Sequence, residues 1–111
     1  MKRVGEVPRS SLAGGALVRL AYPPYDVLVA EVDGMVCAIE DSCNHAGASL
    51  CGGTRQGAHG VVCPMHDYVF DLRTGELLVP KRACDAQRVF HVTIEGDAVV
   101  VWDPVSVSIM R

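Results

Sequence analysis

At 111 residues, with 50% hydrophobic and 21% charged side chains, the chain has the make-up of one folded domain, spanning 1–111, and not of a disordered segment. Its net charge is −3, and its ten basic residues (Lys2, Arg3, Arg9, Arg19, Arg55, Arg73, Lys81, Arg82, Arg88 and Arg111) are scattered, which leaves nucleic-acid binding without an electrostatic footprint. Five cysteines are an odd number, which fits a reduced, cytoplasmic compartment better than a disulfide framework.

The first twenty residues, MKRVGEVPRSSLAGGALVRL, are broken by Glu6, Pro8, Arg9 and Arg19 and lack the apolar core of a secretory signal. Nothing approaches the roughly 20 apolar residues of a membrane-spanning helix. Within this stretch RSSLAGG could form a single helical turn, with Ser10 as its cap. YDVLVAEVDGMVCAIED follows, two branched apolar runs around Asp33-Gly34, a strong hairpin signal. Residues 43–66 are rich in Gly, Cys and His and poor in strand pattern, an excursion that carries the site. YVFDLRTGELLV (Tyr68 to Val79) predicts a hairpin turning at Thr74-Gly75, and RVFHVTIEGDAVVV (Arg88 to Val101) another turning at Gly96-Asp97. The fold class is all-β, a small antiparallel sandwich or barrel.

The chemistry lies in the excursion. Cys43 and His45 form C-x-H, and after seventeen residues Cys63 and His66 form C-x-x-H. Ordinary core cysteines and surface histidines are the plainer reading, but both pairs sit in turn-like segments flanked by Gly and Pro. A catalytic thiol with a histidine base would leave the second pair without a role and lacks a third, orienting residue. Thiolate and imidazole together suit zinc or an iron–sulfur cluster. Zinc sites with two of each normally pair like with like, whereas here each loop offers one of each. That interleaving suits a two-iron cluster with both thiolates on one iron and both imidazoles on the other.

CNHAGASLCGG and CPMHDYVFDLRTGE resemble the two cluster-binding loops of Rieske proteins, C-x-H-x-G-x-x-L-x-x-G and C-P-x-H-x-x-x-F-D-x-x-T-G. Over nearly its whole length the chain is similar to the small Rieske-type ferredoxins of bacterial aromatic ring-hydroxylating dioxygenase systems. The resemblance implies an antiparallel β-sandwich with a base at about 1–42 and 77–111 and a cluster-binding subdomain at about 43–76. It implies one [2Fe-2S] cluster per chain, with Cys43 and Cys63 on one iron and His45 and His66 on the outer one. A third loop around Pro80 would cover the cluster, and Met65 would shield it from water. Two positions depart from the family: Asp67 stands where glycine is frequent, in what could be a left-handed backbone, and Ala86 where proline is frequent.

The high-potential respiratory relatives tie their loops with a disulfide and place Ser and Tyr hydroxyls after the second histidine. Here the corresponding residues are Ala48 and Met65, then Tyr68 and Phe70. Fewer hydrogen bonds to the cluster imply a potential toward the low end of the Rieske range, around −150 mV. Cys37 is expected as a buried apolar side chain, Cys51 as an off-pattern packing residue and Cys84 as a loop thiol. His59 and His91 read as surface or strand histidines and Trp102 as a core or edge residue. Four histidines do not provide for a second, mononuclear iron, and no nucleotide-binding fingerprint is present. The chain therefore reads not as an enzyme but as a monomeric one-electron carrier of aromatic hydrocarbon catabolism. It would take an electron from a flavin-dependent NAD(P)H reductase and pass it to a terminal oxygenase, with His45 and His66 as the port. The alternatives are the small subunit of a nitrite reductase or another Rieske-dependent monooxygenase system and, from a different class, a zinc-stapled binding module.

Overall fold

The computed structural model describes residues 1–43, 48–65, 67–80 and 86–104. Among these residues ten strands run in chain order: β1 (Lys2–Pro8), β2 (Val18–Leu20), β3 (Val27–Val32), β4 (Met35–Glu40), β5 (Thr54–Gln56), β6 (Gly60–Val62), β7 (Val69–Asp71), β8 (Leu77–Val79), β9 (His91–Glu95) and β10 (Ala98–Asp103). They form three antiparallel sheets, β1-β10-β9, β2-β3-β4 and β5-β6-β7-β8. No helix among the described residues is long and apolar enough to cross a membrane.

β3 is the wall on which the molecule is built. Its run Val-Leu-Val-Ala is apolar on both faces, as a strand covered on both sides must be. Val27 and Val29 face one core, with Val7, Leu12, Ala38, Phe90, Val99 and Val101. Leu28, Ala30 and Val32 face the other, with Ile39, Cys43, Leu50, Val61, Cys63, Phe70 and Leu72. The first core holds the two three-stranded sheets together. The second lies beneath the sheet β5–β8 and contains both predicted cysteine ligands.

The hairpins form where the turn residues demand them. Asp33 (φ 52°) and Gly34 (φ 81°) join β3 to β4 between the paired residues Val32 and Met35, the left-handed pair of a type I′ turn. Gly96-Asp97 joins β9 to β10, with Glu95 opposite Ala98. Gly75 lies in the turn between β7 and β8, its amide donating to the Asp71 carbonyl at 2.7 Å. The expected turn at RSSLAGG is a 3-10 segment, Arg9–Gly15, that plugs Leu12 into the first core. Ser10 does not cap it: the cap position is Pro8, whose carbonyl accepts the Ser11 hydroxyl at 2.5 Å.

Candidate metal centre

The first loop begins where β4 ends. Glu40 hands the chain to Asp41, whose amide donates to the Asp26 carbonyl at 3.1 Å and whose carbonyl accepts the Leu50 amide at 2.8 Å. Ser42 then bridges to Ser49, and the Cys43 amide donates to the Ala48 carbonyl at 2.7 Å. The second loop closes the same way, with the Cys63 amide on the Tyr68 carbonyl at 2.7 Å. In each case a cysteine is tied to the carbonyl five residues on. Cys43 (1% exposed) and Cys63 (0%) are thiols sunk in one apolar core. His45, His66 and Cys84 lie outside the described residues.

Several fixed positions of the two loop motifs have a physical reason among the described residues. Leu50 and Phe70 are fully buried in the same core as the two cysteines. A side chain on Gly53 would put its Cβ 1.8 Å from the carbonyl oxygen of Val62, the residue before Cys63. The end of the first loop therefore presses on the entry to the second, and only hydrogen fits between them. Gly75 meets the Gln87 carbonyl oxygen in the same fashion, at 2.2 Å from a built Cβ. Asp71 accepts the Arg73 amide at 2.8 Å and its guanidinium at 3.0 Å, bonds that hold its carboxyl below the usual range. Asp67 has φ 58°, the left-handed backbone anticipated at this position.

Two buried thiols on loops closed alike, in one apolar core, fit the sulfur half of a cluster site. Cys51 does not belong to that set. It stands off the motif spacing, and burial, then the charge of Asp41, pushes its thiol up to about 12. Cys37 is half-buried, not fully buried as expected, and its thiol is raised by desolvation. It lines a groove between β4 and β9 with Arg73, Val89 and His91. His59 pairs with Asp33 at 2.9 Å, and His91 sits exposed on β9 opposite Trp102. The half-buried Trp102 indole donates to Thr93 Oγ1 at 2.9 Å.

Sequence reasoning missed two residues that hold this arrangement. The side-chain amide of buried Gln87 donates to the carbonyls of Glu40, at 2.8 Å, and Ser42, at 2.7 Å, which flank Asp41 at the entry to the first loop. Its backbone amide donates to the Gly75 carbonyl at 2.7 Å, so one residue ties the approach to Cys43 to the hairpin that follows Cys63. Asp41 is the other: its carboxylate accepts the Ser49 hydroxyl at 2.6 Å and the Cys51 amide at 2.8 Å. An acid closing an apolar strand just before the loop was a visible signal for Asp41; for Gln87, with partners more than forty residues away, there was none.

The family described as the Rieske [2Fe-2S] domain matches residues 4–91. The ferredoxin component of biphenyl 2,3-dioxygenase from Rhodococcus jostii (strain RHA1) is 37% identical over 90 residues, 81% of this chain and 82% of the relative. The solved ferredoxin of carbazole 1,9a-dioxygenase from Nocardioides aromaticivorans IC177 is similar at a TM-score of 0.80 and 26% identity, covering 92% of this chain and 98% of its own. A chain from a solved complex of reduced oxygenase and oxidized ferredoxin in carbazole 1,9a-dioxygenase gives a TM-score of 0.80 at 26% identity, over 90% of this chain and 92% of its own.

Proposed function

Because this chain belongs to the Rieske [2Fe-2S] domain family, we propose that it is the electron-carrying ferredoxin of an aromatic-ring oxygenase system, not itself a catalyst. The observation that carries the reading is the pair of buried cysteines, Cys43 and Cys63, closing matched loops in one apolar core. In this reading Cys43 and Cys63 hold one iron of the cluster and His45 and His66 the other. Once bound, the cluster supplies a reversible one-electron step.

The chain's own residues supply the rest. Leu50, Val61, Phe70 and Leu72 keep water from the thiolate side. Asp41 and Gln87 fix the loops that carry the ligands. Near the second loop, Pro64, Met65, Asp67, Val79 and Pro80 are exposed, a small and largely apolar surface suited to brief docking. Delivery to a terminal oxygenase is supported by the carbazole dioxygenase relative, solved in complex with its oxygenase. Supply from a flavin-dependent NAD(P)H reductase, a cytoplasmic setting, a monomeric state and a cluster-bearing unit at about 43–76 belong to the same proposal. β8, which pairs with β7, extends the sheet of that unit to Val79.

The test is optical. The purified protein should absorb in the visible, bleach on reduction and regain colour when mixed with an oxidised terminal oxygenase of a biphenyl-type system. A colourless protein that holds zinc would end this reading in favour of a stapled binding module.

A further inference from the structure

Asp41, Asp71 and Asp103 are the buried acids among the described residues. Asp71 is paired with Arg73 at 3.0 Å and Asp103 with Arg88 at 3.3 Å. Asp41 has no such cation among the described residues. Its carboxylate, on a residue 2% exposed, is met by the Ser49 hydroxyl at 2.6 Å and the Cys51 amide at 2.8 Å. Neutral donors satisfy its lone pairs, but they leave its charge uncancelled. That charge sits two residues before Cys43, a backbone separation of at most about 7 Å.

We propose that Asp41 is a positioning residue that also sets the reduction potential: its carboxylate closes the loop that carries Cys43, and its negative charge, paired with no cation among the described residues, opposes the arrival of an electron at that loop. The inference rests on the reading of Cys43 as a ligand. The positioning half follows from the bonds: one carboxylate gathers Ser49 and Cys51, and Ala48, their neighbour, takes the Cys43 amide. The electrostatic half follows from distance. A unit charge within roughly 10 Å, at the effective dielectric of a protein interior, changes a one-electron equilibrium by about tenfold.

Two substitutions separate charge from shape, and both are read by voltammetry, by the visible spectrum and by amide exchange at Cys51. Asp41→Asn keeps the outline, with its oxygen able to accept the Cys51 amide and its amide able to donate to Ser49. It should favour reduction about tenfold, a rise of about 59 mV, with the spectrum and the exchange protection retained. Ser49→Ala keeps the charge but removes the hydroxyl dipole that offsets part of it, so the potential should fall. If Asp41→Asn fails to hold a cluster, Ser49→Ala alone decides: a fall supports the proposal, and an unchanged or raised potential overturns it. An unchanged potential in a coloured Asp41→Asn protein likewise overturns it. The ligand reading fails by a different sign, a Cys43→Ser protein that keeps its colour.

Discussion

The Cys63 amide donates to the Tyr68 carbonyl at 2.7 Å, and the first loop repeats that bond between Cys43 and Ala48. Each closure fixes a cysteine in the core while the predicted histidine, His66 or His45, falls in sequence between the two ends. The ligand reading therefore makes a selective demand. Cys43→Ser and His66→Ala should each abolish the visible absorption, because each removes a proposed ligand. Cys51→Ser should retain it, since Cys51 lies off the spacing of the motif and its backbone amide, not its thiol, is what holds Asp41. Spectra of the three purified variants decide the matter, and the reverse pattern would reassign the first loop.

Gln87 makes a stability prediction. Gln87→Leu leaves the Glu40 and Ser42 carbonyls without their donor in the interior. Each orphaned acceptor costs about 1–3 kcal/mol, so a loss of about 2 kcal/mol or more is expected in urea unfolding. A loss well under that would show that the two carbonyls find other partners.

Much of the molecule was readable in its sequence, for local reasons. Asp33-Gly34 dictates a two-residue turn, the two-sided apolar run of β3 announces a strand buried on both faces, and the loop motifs have fixed internal spacings. What escaped was non-local. Gln87 reads as one polar residue after a loop, because its partners lie on another strand's end. Ser10 was the expected cap, but the path of the chain makes Pro8 the cap position and brings the Ser11 hydroxyl to its carbonyl. Cys37 looked like an interior residue of an apolar strand, yet it lines a groove with Arg73, Val89 and His91.

A pH dependence follows from Tyr22, whose phenol donates to Asp103 Oδ2 at 2.7 Å. That bond, with burial, raises its pKa above the ordinary value of 10.0. The folded state thus favours the protonated phenol. Its contribution is fully present below the unfolded value near 10 and is lost as pH rises through the higher folded value. Tyr22→Phe should cost about 1.5 kcal/mol at pH 7, the low end for a hydrogen bond to a charged group, as suits a part-buried site. The gap to wild type should narrow above about pH 10. Urea midpoints from neutral to strongly alkaline pH check this, and a gap that widens there contradicts it.

Docking at the exposed tip predicts a kinetic effect without an electronic one. Met65 is 62% exposed. Met65→Ala should slow electron delivery to the oxygenase roughly fivefold, the equivalent of about 1 kcal/mol of contact, while the midpoint potential stays put. Stopped-flow oxidation of the reduced protein measures the first and voltammetry the second. Unchanged delivery would move the docking surface elsewhere.

A redox titration with iron analysis on the same sample reaches the central claim, that this chain carries one electron on a two-iron cluster, most directly. The account predicts about two irons per chain and a single one-electron wave near the low end of the Rieske range, around −150 mV. A protein that holds zinc in place of iron and shows no wave in that range would contradict it.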